Sequence, residues 1–471
     1  MPPKFDLLDE VYPARTHSGS TIALLPAGGE VWEDFLDSIG VSLEKFCHEG
    51  PGGWMLGYID ALSSIGVRTV LIFFSARVTS PLRFRDTASG TIISVLPVSS
   101  GYRALREKLV NLRPVVAEST GTGRNYLHRL RRTAYAVLVR VAPYLSTPLG
   151  SLARELRRAD CRAILCQEYE YFRFDTCVLL GRLLRLPVFA TFQGNDFELN
   201  PISRAVRPIA IRSCNGLFVA PRAEIERVLA RYKVRADRVA QIFNPVDLAM
   251  WGAVDRDEAR AAFNLPPNAR VAVWHGRVAM ESKGLDILLD AWAQVCQQRP
   301  GQDLRLLMMG TGQDADQMRQ RIESQLIPNV LWINEYITDR SAIRRFLSAG
   351  DVYVFPSRYE GFAVAPIEAM ACGLPVVAAQ ASGIPDIFDK GEASGGIVVP
   401  RGDTAAFAQA LGRVLDDQVL RQDLGRLARG RVEQAFSLEA VGRQLHTFLL
   451  HSGLSATDSE NQETRVQVSL K

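Results

Sequence analysis

The chain has little of what would mark a membrane, secreted or metal-built protein. No run approaches the roughly 20 consecutive apolar residues needed to span a bilayer, and the start, Met1-Pro2-Pro3-Lys4-Phe5-Asp6, lacks a charged-then-apolar leader. A cytoplasmic protein is the expectation. Only seven cysteines occur, an odd number with no Cys-x-x-Cys pair, which predicts reduced and mostly buried thiols rather than a disulfide framework or a zinc site. The six histidines show no metal-ligand spacing. Basic residues are not interleaved with aromatics and no nucleic-acid module is recognisable, so nucleic acid is not an expected partner.

What is present is bulk and alternation. A length of 471 residues with 47% hydrophobic content exceeds one ordinary domain and can fill two cores. Short apolar runs alternate with helical patterns, which predicts α/β layers around parallel sheets. The runs are Thr21–Leu25, Val67–Phe74, Ala163–Cys166, Val188–Phe192, Gly216–Ala220 and Val239–Phe243 in the first half. In the second half they are Val271–Trp274, Leu304–Met309, Val330–Ile333, Val352–Phe355, Val376–Ala379 and Ile397–Val399. Helical spacing recurs in Leu285, Leu288, Leu289, Trp292 and Val295, and in Phe407, Ala410, Leu411, Val414 and Leu415. Two doubly wound domains, 1–245 and 246–451, are expected to meet at Asn244-Pro245-Val246-Asp247, with a ligand between them at the carboxyl ends of the strands. The polar tail 452–471 is expected to be disordered.

Charge is uneven. Residues 1–245 carry 32 Lys and Arg against 23 Asp and Glu, whereas 246–471 carry 23 against 28. Arginines are dense in the 103–140 region, beside Leu127, Leu130, Tyr135, Val137, Leu138 and Val141. Such a stretch suits contact with an anionic membrane surface, and equally a solvated helix face or a lid over an anionic substrate.

The most informative segment is Arg358-Tyr359-Glu360-Gly361-Phe362-Ala363-Val364-Ala365-Pro366-Ile367-Glu368, which runs from a strand through a loop into a short helix that ends near Gly373 and Pro375. Amides of Gly361, Phe362, Ala363 and Val364 at a helix start suit an anionic phosphate. Arg277 and Lys283 follow another strand, in a loop where Gly276 and Gly284 permit close approach of backbone to ligand. Departure of a diphosphate from a sugar leaves concentrated negative charge, and fixed cations stabilise it where it develops. Gly310-Thr311-Gly312 follows the next strand and leads into Asp314-Ala315-Asp316. Asp-x-Asp is a metal-binding pattern in enzymes of a different fold, but its place in a first helical turn makes ordinary dipole-favouring acids the better reading, with no metal required. Gly50-Pro51-Gly52-Gly53 opens a further helical stretch and suits phosphate or a plain tight turn.

Taken together, Asn244-Pro245-Val246-Asp247, Gly276-Arg277 with Lys283-Gly284, Gly310-Thr311-Gly312, Phe355-Pro356-Ser357, the Glu-x7-Glu stretch and Val399-Pro400 with Asp403 resemble glycosyltransferase family 4. The resemblance spans most of the chain and is strongest from 241 to 440. It implies a GT-B fold of two Rossmann-like domains facing a central cleft that closes over the substrates. It also implies a retaining glycosyltransferase that moves a sugar from a nucleoside diphosphate-sugar to a hydroxyl acceptor (polysaccharide, lipid or small molecule). Carried over by motif, Glu360 contacts the donor sugar, Glu368 the ribose hydroxyls, and Gly52 and Gly53 the donor from the opposite wall. Two places depart from the family: Gln167 and Gln193 stand where histidine is common. Gln167, Glu168 and Asp196 remain acceptor-side residues by position, or strand-end structure. Asn334-Glu335-Tyr336, expected near the base, departs from the glycine usual there. Alternative readings are a nucleoside-diphosphate-sugar epimerase and a non-catalytic sugar-nucleotide-binding protein. A glycan phosphorylase is disfavoured, because no pyridoxal phosphate lysine site is identifiable.

Overall fold

The computed structural model describes residues 20–452 except 27–28, 39–40, 44, 47–52, 87–89, 118–125, 193, 195–199 and 338. Gly52, Asp196 and all of the tail beyond Ser452 lie outside the described residues. Contacts divide the chain into two compact units. The first takes the described residues of Met1–Val219, Arg227–Ala240 and Leu445–Lys471, and the second takes Ala220–Glu226 and Gln241–Gln444.

The first unit is built on an eight-stranded sheet in the order β3-β4-β2-β1-β5-β6-β7-β8. The strands are β1 Thr21–Leu25, β2 Arg68–Ser75, β3 Leu82–Arg85, β4 Ile92–Pro97, β5 Cys161–Cys166, β6 Val188–Thr191, β7 Gly216–Val219 and β8 Val239–Gln241. β3 pairs antiparallel with β4, while β4, β2, β1, β5, β6 and β7 pair in parallel. β3 and β4 were not among the expected strands. Among the described residues no helix separates them from β2, so the strand–helix alternation that reveals the others is interrupted there. The chain order reverses across β1 and β5, which puts the tips of those two strands at the topological switch point. The C-terminal helix Leu438–His451 ends in this unit, where Phe448 packs on Phe189 and Phe218.

The second unit is a six-stranded, all-parallel sheet ordered β11-β10-β9-β12-β13-β14. Its strands are β9 Arg270–His275, β10 Leu304–Met309, β11 Val330–Ile333, β12 Val352–Phe355, β13 Val376–Ala379 and β14 Gly396–Val399. Successive side chains leave opposite faces, and here both faces are covered. Val271, Val273, Leu307, Met309, Tyr353 and Phe355 pack into one core. Ala272, Trp274, Leu306, Met308, Val352 and Val354 pack into the other with the helix Leu285–Gln297. Burial on both faces is why these strands read as continuous apolar runs. Cys161, Cys166, Cys177, Cys214 and Cys372 are buried free thiols and Cys296 is partly buried. No described helix is long and apolar enough to cross a membrane.

Candidate functional site

In the second unit the carboxyl ends of β9, β10 and β12 feed loops that are bonded to one another through backbone. The N–H of Gly276 donates to Met309 O at 3.0 Å, that of Val278 to Thr311 O at 3.0 Å, and that of Gly310 to Ile333 O at 2.9 Å. Gly310 has φ +133°, and a Cβ there would lie 1.9 Å from Gly276 O. Gly284 has φ +61°, and a Cβ there would lie 2.1 Å from Pro356 O. Sequence reasoning assigns the glycines flanking Arg277 and Lys283 to ligand approach. Gly310 and Gly284 are also required for the close seating of one loop on another.

That seating positions the charges. Arg358, after β12, reaches back with two bonds to Asp286 at 2.7 and 2.6 Å and a third to Glu281 O at 2.9 Å, while its N–H donates to Ser282 O at 3.0 Å. Burial pushes the Asp286 carboxyl upward, but the Arg358 fork outweighs it and holds the group below its ordinary value. With the two loops clamped, Lys283 Nζ donates to Glu360 Oε1 at 2.7 Å. The pair is sheltered, with side chains 22% and 11% exposed. Arg277, by contrast, is exposed and forms no ion pair among the described residues.

Glu368 lies within the helix Ala365–Ala371, with Pro366 in its first turn as expected. Its Oε2 stands 3.1 Å from Nε2 of His275, the last residue of β9. The two residues are 93 apart in sequence, so spacing along the chain does not pair them. Phe362 and Ala363 are buried, and Gly361 and Val364 are half-buried at the start of the same helix. Ser357 Oγ, Asn334 Oδ1 and His275 Nδ1 are buried without a partner among the described residues. They belong to the ends of β12, β11 and β9, along one edge of the sheet. Buried polar atoms are ordinarily satisfied, so this edge retains unused hydrogen-bonding capacity for a ligand.

Asp314 Oδ2 accepts the N–H of Met280 at 2.8 Å and so ties the β10 loop to the β9 loop. Asp316 is fully exposed, 3.7 Å from Arg319. No group of three or more His, Cys, Asp or Glu residues among the described residues is arranged to hold a metal.

In the first unit Gln167 follows β5 at the switch point, 1% exposed, its N–H donating to Leu25 O at 2.9 Å. Neither amide atom of its side chain has a partner among the described residues. Glu168 is 2% exposed, and its Oε1 accepts the N–H of Glu170 at 2.9 Å. Gly53 begins the helix Gly53–Ser64. One arrangement that sequence reasoning did not single out is Arg173, buried beneath the loop after β1, which donates to Pro26 O, Gly29 O and Glu30 O at 3.1, 3.2 and 3.1 Å. An arginine inside an apolar helix was the signal available.

Comparison with known proteins adds the context. The family model described as Glycosyl transferases group 1 matches residues 269–417, the stretch that carries Arg277, Lys283, Glu360 and Glu368. The chain is 30% identical over 269 residues to a D-inositol 3-phosphate glycosyltransferase of Catenulispora acidiphila, covering 55% of this chain and 63% of that relative. It spans about half the length of other inositol-phosphate glycosyltransferases that it matches. Among solved structures it is similar to a sucrose-phosphate synthase of Thermosynechococcus elongatus, with TM-score 0.63 and 21% identity over 92% of this chain and 98% of that one. It is similar as well to Anabaena HepE in complex with UDP and glucose, with TM-score 0.60 and 17% identity over 91% and 99%. The two parallel-sheet units have the GT-B fold, in agreement with the expectation from sequence.

Proposed function

We propose that this protein is a retaining, metal-independent glycosyltransferase that moves a sugar from a nucleoside diphosphate-sugar to a hydroxyl acceptor. The observation that carries the reading is the gathering, at the strand ends of the second unit, of Lys283 bonded to Glu360, exposed Arg277, and Glu368 one helix turn into the following helix. Similarity to glycosyltransferases over residues 269–417 supports it.

In this reading the bond between the anomeric carbon and the diphosphate oxygen breaks while the acceptor oxygen bonds to the same face of the sugar. Arg277 and Lys283 stabilise the negative charge that grows on the leaving oxygen, Arg as a fork and Lys as a point charge. The departing phosphate oxygen takes the acceptor's proton, so no titratable helper is needed where Gln167 stands. Glu360 holds Lys283 in place and lies against the donor sugar. Glu368 accepts from the ribose hydroxyls, for which a carboxylate oxygen with two lone pairs is suited. The amides of Gly361, Phe362, Ala363 and Val364 face the phosphates, and Gly276 and Gly310 let backbone approach the donor. Asn334 Oδ1 is available to an N–H of the base. Gln167, Glu168 and Asp196 serve the acceptor, Gln167 by orienting a hydroxyl whose proton it cannot take.

A cytoplasmic protein resting on the inner membrane face is the localisation we propose. Exposed Val137, Val139 and Leu145 on the helix Tyr126–Leu145 support it, with exposed Arg140 among them.

Product analysis tests the function. Sugar transfer that needs both donor and an added hydroxyl compound supports it. Interconversion of the donor sugar without an acceptor points to an epimerase instead, and nucleotide binding with no turnover across a broad acceptor panel points to a binding protein.

A further inference from the structure

His275 closes β9 with its ring edge-on to Tyr353, at a 5.5 Å centroid distance, and to Phe346 at 6.5 Å. The hydroxyl of Tyr353 donates to the backbone O of His275 at 3.2 Å, so ring and main chain are both held. One ring nitrogen, Nε2, lies 3.1 Å from Glu368 Oε2; the other, Nδ1, is buried with no partner among the described residues. These two contacts select a tautomer. A carboxylate only accepts, so a hydrogen bond to it requires the proton on Nε2. A proton on Nδ1 would bury a donor with no acceptor while leaving Nε2 lone pair against carboxylate, which is unfavourable at both ends.

We infer that His275 is a positioning residue for nucleotide recognition: through Nε2–H it fixes Oε2 of Glu368, leaving Oε1 to take the ribose hydroxyls. Glu368 is 19% exposed and His275 10%, so the bond is largely shielded from water and charge-assisted. Without it the three-bond glutamate side chain is free to change rotamer, and a ribose ligand must then order it on binding. This inference rests on the proposed role of Glu368 as the ribose ligand. It adds the residue that makes that role selective.

The test is isothermal titration of the full-length chain with UDP against 2′-deoxy-UDP and with GDP against 2′-deoxy-GDP, for wild type, Glu368→Ala, His275→Phe and His275→Gln. The wild type should favour the ribonucleotide about tenfold. His275→Phe, which keeps the ring contacts and loses the donor, should bind ribo and deoxy forms alike. His275→Gln, whose amide N–H can stand in for Nε2–H, should restore the preference. A merely structural role would alter thermal stability without touching the ribose-to-deoxyribose ratio. If His275→Phe does not fold, His275→Asn replaces it, because its amide overlays Nδ1 rather than Nε2. Discrimination lost in Glu368→Ala but kept in His275→Phe or His275→Asn overturns the inference and leaves the ribose role intact. Equal binding of ribo and deoxy forms by the wild type removes the ribose role, and the inference with it.

Discussion

Lys283 Nζ and Glu360 Oε1 stand 2.7 Å apart although 77 residues separate them in sequence. Neighbouring strands β9 and β12 bring their loops to the same end of the sheet, and the Arg358–Asp286 pair locks one loop over the other. In the proposed reaction the ammonium is thereby held ready for the leaving diphosphate, its position set by a carboxylate before any substrate arrives.

Replacing Lys283 with alanine should therefore lower the transfer rate by roughly 10²–10³, as should replacing Arg277, because each removes charge that acts chiefly in the transition state. Steady-state kinetics with saturating donor checks this. A rate within twofold of wild type would remove the residue from the mechanism.

Turnover should be undiminished in EDTA. In the proposed reaction Arg277 and Lys283 serve the diphosphate, and Asp314 already accepts a main-chain N–H from Met280, so the Asp314-Ala315-Asp316 triplet has a structural use. Activity abolished by chelation and restored by magnesium or manganese would reverse that assignment.

Much of this architecture was legible from the residues. The strands of the second unit read as apolar runs bounded by turn signals because the central ones, β9, β10, β12 and β13, are buried on both faces, and the helix that bears Glu368 is announced by Pro366 and Gly373. β3 and β4 were not seen: β3 is four residues with arginine at alternate positions, and among the described residues no helix intervenes from β2 through β3 to β4. At the site, the identities of Arg277, Lys283, Glu360 and Glu368 stood out by motif. The partnerships Lys283–Glu360 and His275–Glu368 did not, since they depend on which strands lie side by side and not on spacing along the chain.

A pH effect on stability follows from Asp386, in the short helix Ile384–Ile387. Burial is the largest influence on its carboxyl and raises it above the ordinary Asp value, against the N–H of Arg222 and the amide of Gln241, which lower it. A raised folded value means that the folded chain binds the proton more tightly than the unfolded chain. The stabilisation is then fully present below the unfolded pKa of about 3.9 and is lost as pH rises through the folded value. Melting temperatures of wild type and Asp386→Asn should thus diverge in favour of wild type as pH falls from neutral toward about 4. A difference that is flat with pH, or of opposite slope, contradicts the assignment.

Vesicles containing anionic lipid should carry the full-length protein upward in a flotation gradient at low salt and release it at high salt, because the proposed contact rests on arginines of the 103–140 region. Neutral vesicles should carry much less. Absence of binding to anionic vesicles at low salt would end the membrane proposal without touching the catalytic one.

Whether the strand ends of the second unit hold the nucleoside diphosphate of a sugar donor is measured by titration calorimetry. Uridine, guanosine and adenosine diphosphates would be titrated into wild type, Arg277→Ala and Glu368→Ala. At least one nucleotide should bind the wild type, and each substitution should weaken that binding about tenfold or more, as expected for loss of a charged hydrogen-bonding partner. Unchanged affinity in both variants, or no binding of any of the three nucleotides to the wild type, would contradict this.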